Sequence, residues 1–163
     1  MRRAAIICGG VWGGLSSWAD TDGTRWVLAP VWGSVNPELK APANNGSASH
    51  GSIVAFKLED KGEKTVLTPA WVSRDMSSPA PPVITSGVIF TLSAGEYGSD
   101  GRPNGSTHAT LYALDALTGK EMYSTGNQVT SPGNLTGVTV ANGRVFFSTT
   151  DSTLWGFGVY MER

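Results

Sequence analysis

The sequence predicts an all-β fold, built of four-stranded antiparallel sheets that stack as the blades of a partial β-propeller. Three observations predict it. Apolar stretches are short and end at tight-turn signals, and helical periodicity is nearly absent. Turn formers are abundant, with 21 Gly and 9 Pro in 163 residues, while charged residues make up only 15%, against roughly 25% in typical soluble domains. The same stretch also recurs: His50–Phe56 aligns without gaps on His108–Leu114, and Thr153–Phe157 aligns on Thr110–Leu114. The length suits a single domain over 1–163.

Taken in order, the strand-like runs are Ala4–Cys8, Leu15–Trp18, Arg25–Pro30, Gly51–Leu58 and Ala70–Ser73, then Pro82–Ile84, Val88–Ser93, Thr110–Leu114 and Met122–Ser124, and last Val138–Val140, Arg144–Thr149 and Leu154–Gly158. Turns are expected at Asp22-Gly23, Lys61-Gly62, Ser86-Gly87, Thr118-Gly119 and Asn142-Gly143, because Gly and Asn accept the positive φ of tight hairpins. Val83–Phe90 resembles Val140–Phe147, so each unit reads strand, tight turn, strand, variable loop, Leu-x-Ala strand, turn, outer strand. The approximate blades are 11–75, 80–126 and 132–163, with 1–10 as a completing strand. Two long loops, Trp32–Ser49 and Gly95–His108, precede the Leu-x-Ala strands at equivalent places and should emerge on one rim. Loops of that length are usually functional or disordered.

A sheet buried on both faces needs neighbours on both sides, and radial stacking supplies them. Ala55, Ala113 and Gly156 are then small because sheets approach closely there, while Ile53, Leu111 and Leu154 fill the gap between sheets. Asp115 starts a turn in which its carboxylate accepts backbone N–H groups, Thr118 adds a hydroxyl and Gly119 supplies positive φ. Tyr123 follows in the outer strand, where its ring packs over the next sheet.

The stretch Ala113–Tyr123, with Ala113, Asp115, Thr118 and Gly119 in register, resembles the repeat of the pyrroloquinoline-quinone (PQQ) type β-propellers. It departs at Tyr123, where that family has Trp. The earlier copy carries Lys57 in place of Asp, and its Trp71 arrives after an insertion; the last copy carries Gly158 in place of Asp. The resemblance spans roughly Leu15 to Val159. It implies the fold, a periplasmic or secreted location, and either of two functions. One is a non-catalytic ligand- or protein-binding scaffold; the other is a partial quinoprotein oxidoreductase acting on alcohols or sugars with PQQ and calcium. The paired cysteines and the metal-binding Glu, Asn and Asp found in such enzymes match no particular positions here. At about 40–50 residues per blade the chain makes three blades and a remnant, fewer than the 4–8 of a closed ring. Apolar faces should therefore lie open at both ends, and a second copy or another chain is expected to complete the ring.

The remaining features bound the chemistry. With 12 Lys and Arg against 13 Asp and Glu, the chain lacks the basic surplus of a nucleic-acid surface. No run reaches the roughly 18 apolar residues of a membrane helix. Residues 1–19 imitate a secretory signal, but Gly9, Gly10, Gly13, Gly14, Trp12 and Trp18 interrupt it, which favours mature structure. The lone Cys8 excludes an intrachain disulfide. Trp12, Trp18 and Trp26 could floor a flat cofactor, or pack within blades. Asp20 and Asp22 open like a calcium loop, or form a hairpin turn. His50 and His108 occupy equivalent repeat positions and, with Glu96 and Asp100, mark the rim loops as candidate ligand sites. A hydrolase site on that rim is a third reading, although the chain has no G-x-S-x-G elbow.

Overall fold

Tight turns divide the chain much as the sequence predicts. The structure, a computed structural model, describes residues 10–11, 13–95 and 107–158. In chain order the strands are β1 (Ser16–Ala19), β2 (Arg25–Trp32), β3 (Ala43–Asn44), β4 (Gly51–Lys61), β5 (Lys64–Val72), β6 (Val83–Thr85), β7 (Val88–Ser93), β8 (Thr110–Asp115), β9 (Glu121–Ser124), β10 (Thr139–Ala141), β11 (Arg144–Ser148) and β12 (Leu154–Gly158). There is no helix among the described residues. Ser86 and Gly87 both have positive φ, as do Asn142 and Gly143. Each pair closes a two-residue hairpin of the type whose twist matches the flanking strands. The expected strand Ala4–Cys8 lies outside the described residues.

The strands form three sheets, ordered β1-β2-β4-β5-β3, β6-β7-β8-β9 and β10-β11-β12. Every neighbour is antiparallel except β3, which joins β5 in parallel. Only the second sheet has the expected four strands. The first gains β3 from the loop after β2, and the third has no outer strand among the described residues.

Two apolar layers join the sheets. Trp26, Leu28, Ile53, Ala55 and Trp71 of the first sheet pack on Ile89, Tyr112, Leu114 and Ala116. From the other face of the second sheet, Leu92 and Leu111 pack with Val145 and Phe147 of the third. β8 is thus covered on both faces, which is why Thr110–Leu114 reads as a nearly continuous apolar run. The sheets come closest at their first strands, where β1 adjoins β6 and β6 adjoins β10. The Ser16 hydroxyl there donates to the Pro82 carbonyl.

The two outer faces differ from the expectation that both lie open. On the first sheet, Ala29, Val31, Val54, Phe56 and Val72 are buried beneath Val35, Leu39, Ala41 and Ala48 of the loop after β2. The long loop therefore lies over a sheet face as well as along a rim. On the third sheet Leu154 does not fill an intersheet gap. It is 73% exposed, against 0% for Ile53 and 1% for Leu111, because no sheet follows it among the described residues.

Candidate functional site

The repeated turn has a docking role. Asp115 Oδ1 accepts the N–H of Thr118 at 2.8 Å, the N–H of Leu117 at 3.2 Å and the Thr118 hydroxyl at 2.6 Å. This holds Gly119 at φ 70° directly beneath the ring of Trp71: a Cβ on Gly119 would lie 2.3 Å from Trp71 Cε3. Trp71 Nε1 also donates to the Ala116 carbonyl at 3.2 Å. Trp71 sits opposite Ala55, and Tyr123 sits opposite Ala113. The small residue makes room for the aromatic ring across the strand pair. A second correspondence, not visible by spacing alone, follows two residues later. Ile53 N–H donates to Ser73 Oγ at 2.9 Å, and Leu111 N–H donates to Thr125 Oγ1 at 3.0 Å. The backbone N–H of Ser73 and of Thr125 returns to the carbonyl of Ile53 and of Leu111. The signal was present as Trp71-Val72-Ser73 and Tyr123-Ser124-Thr125, hidden by the insertion that delays Trp71.

The tryptophan candidates are engaged in packing. Trp18 and Trp26 stack on each other with centroids 5.8 Å apart, Trp26 is buried, and Lys57 Nζ lies 5.1 Å above its ring. Trp12 lies outside the described residues. Asp20 spends both carboxylate oxygens on its own hairpin. Oδ2 accepts Trp26 Nε1 at 3.0 Å, which leads in holding its pKa below the ordinary value, and Oδ1 accepts the N–H of Asp22 and of Thr24. The turn geometry accounts for Asp20 and Asp22. Among the described residues no group of three or more His, Cys, Asp or Glu side chains is placed to share an ion.

On the rim between the first two sheets lies a polar cleft of about 500 Å³, lined by Asn45, Gly46, Ser47, Arg74, Asp75, Lys120 and Glu121. Arg74 pairs with Glu121 at 2.5 Å and stacks over Tyr112 at 5.0 Å. The bond to Glu121 is the main reason its pKa is raised. Asn45 Nδ2 donates to the carbonyls of Val72 and Thr118, both at 2.9 Å, and so ties the loop to both sheets. His50 is brought here from its repeat position. Its Nδ1 lies 2.6 Å from Asp75 Oδ2, and Asp75 Oδ1 accepts the N–H of Ser49 and of His50. Burial alone would raise the Asp75 pKa, but these bonds outweigh it and leave the pKa lowered. Ser49 Oγ lies 3.2 Å from the same ring nitrogen. A nucleophile–base–acid relay needs its partners on opposite ring nitrogens, so this trio ties a loop and is not arranged as a relay. His108 is half-buried at the second loop's end; Glu96 and Asp100 lie outside the described residues.

The third sheet presents a different surface. β12 pairs with β11 alone among the described residues. Its outward face carries the exposed Leu154 beside Gly156. Phe146 packs over that glycine: a Cβ on Gly156 would lie 3.1 Å from Phe146 Cε1. Between the second and third sheets lies an apolar cleft of about 360 Å³ lined by Phe90, Leu111, Ala113, Tyr123, Val145 and Phe157 among others. Tyr123 is 46% exposed there, where its counterpart Trp71 is 1% exposed.

No protein-family model, curated protein or solved structure matches this chain. Its reading rests on its own repeat and geometry. No helix among the described residues is long and apolar enough to cross a membrane.

Proposed function

We propose that this chain is a binding or scaffold segment of a PQQ-like β-propeller, its three sheets serving as consecutive blades. The observation that carries the reading is the contrast between its ends. One end is sealed by its own loop over Phe56 and Val31, while at the other, among the described residues, the far edge of β12 has no partner strand and Leu154 is exposed. An exposed apolar face beside an unpaired strand edge is a mark of an association surface. The candidate polar residues support a scaffold role too, since Asp20, His50, Asp75 and Asp115 are each engaged in closing a turn or tying a loop.

Two measurements test this reading. In solution, light scattering should give a mass above that of one 17.1 kDa chain, and Leu154→Glu should return it to one chain. A wild-type mass of one chain at all concentrations, with no partner retained, overturns the scaffold reading. Titration with PQQ and calcium addresses the oxidoreductase alternative. A saturable quinone absorbance change together with dye-linked alcohol or sugar oxidation would establish that alternative in its place.

A further inference from the structure

The first two sheets show what a finished outer edge looks like, and among the described residues the third lacks it. In both finished sheets the outer strand sets an aromatic residue opposite a small one, Trp71 on Ala55 and Tyr123 on Ala113. Two residues on, it buries a hydroxyl, Ser73 or Thr125, against the N–H of Ile53 or Leu111. By the sequence repeat, Leu154 stands at the place of Ile53 and Leu111, and Gly156 at the place of the two alanines. Thr153 turns its carbonyl toward Thr149, so strand alternation aims the backbone groups of Leu154, Gly156 and Gly158 at the side of β12 that no other described strand covers. The inner-strand half of the pattern, with its N–H donor, is therefore present on β12, and the outer-strand half, with its hydroxyl acceptor, is missing among the described residues.

Resting on the scaffold reading above, we propose that the β12 edge is a docking site for an extended strand of a partner polypeptide carrying the pattern aromatic-x-Ser/Thr. The strand adds antiparallel to β12, its backbone pairing with Leu154, Gly156 and Gly158. Its aromatic residue stands opposite Gly156 with the ring against Phe146 and Leu154, and its hydroxyl meets the Leu154 N–H. Main-chain pairing supplies affinity and the two side chains supply specificity, the division of labour in strand addition.

The chain itself supplies the probe: a peptide with the sequence of Thr68–Asp75, which contains Trp71 and Ser73. Amide hydrogen exchange of the whole chain should show Leu154, Gly156 and Gly158 unprotected when alone and slowed about tenfold or more by the peptide. Peptides with the tryptophan or the serine changed to Ala should protect less. Leu154→Pro, at the first residue of β12, where proline is tolerated, removes the outward N–H and the apolar side chain together, so it should leave the circular dichroism unchanged and abolish the peptide's effect. If these amides are already protected in the free chain, its own residues or a second copy occupy the edge, and the proposal is overturned. If the peptide fails to protect them, or still does so in Leu154→Pro, it is likewise overturned. A chain that assembles by light scattering but ignores the peptide keeps the scaffold reading and loses this one.

Discussion

Gly119 and Trp71 meet across two sheets, and the geometry leaves space for no other residue at position 119. A side chain there must adopt the φ of 70° and place a Cβ 2.3 Å from the indole. Left-handed backbone costs an L-residue about 1–2 kcal/mol, and overpacking a tight contact costs about 1–3. Gly119→Ala should therefore lower stability by roughly 3 kcal/mol in urea unfolding. Adding Trp71→Phe should cost less than the sum of the single changes, because the smaller ring relieves the same clash. The carboxylates give a second test at this scale. Asp151 accepts bonds from the hydroxyls of Ser131 and Thr149, which hold its pKa near about 2. A folded pKa below the unfolded one contributes stability that is present above about pH 4 and is lost as pH falls toward 2. Asp75, also lowered, adds in the same direction. The thermal midpoint should thus fall between pH 4 and 2, and Asp151→Asn should flatten that decline while lowering the midpoint at pH 7.

The loop after β2 is held at the element scale by several small devices acting together. Asn45 bonds Val72 and Thr118, β3 pairs with β5, and Asp75 grips Ser49 and His50. These place Val35, Leu39, Ala41 and Ala48 over Phe56 and Val54. Leu39→Asp puts a charge at that seam, which has no cation to pair it in the apolar cluster. Exchange at Val31, Val54 and Phe56 should rise, and an apolar-surface dye should bind, while the third sheet keeps its wild-type exchange. The loop's existence and length were legible in the sequence, as were nearly all the strands, because Gly-containing dipeptides and period-2 runs are local signals. The cap was not legible. Its four apolar residues follow neither strand nor helix period and are scattered among Pro, Asn and Gly. The grip of Asp75 was hidden for a related reason: one acidic residue after a strand carries no motif, and only the fold brings it to His50. Nor could the pattern at Leu154 reveal its exposure. A strand that is meant to be covered reads the same whether or not a neighbouring sheet is present.

At the scale of the whole molecule, the sheets form a linear series in which each packs only on its neighbour. Stability in such a series is close to a sum of unit and interface terms, and end units open first. The second sheet has an interface on each face, through Ile89 and Leu114 on one side and Leu92 and Leu111 on the other. The first has one interface and its loop cap. Among the described residues the third has one interface, three strands, and a cleft where Tyr123 stays half exposed. Local opening should therefore run in a fixed order, measured by native-state hydrogen exchange in low urea. Amides of β10, β11 and β12 should exchange first through a subglobal opening that spares the rest. Amides of β4, β7 and β8 should exchange only with global unfolding. The order matters because it separates two ways the open end could fail. Were β7 and β8 to exchange together with β11, the three sheets would be a single cooperative unit, and an occupied β12 edge would raise the stability of every strand. With the order predicted here, a strand docked on β12 raises the free energies of both the third-sheet opening and global unfolding, because each releases it, and leaves the gap between them as it is in the free chain. Docked and free chains should therefore show the same order of exchange, every amide slowed by the docked strand and those of β10, β11 and β12 still ahead of those of β4, β7 and β8.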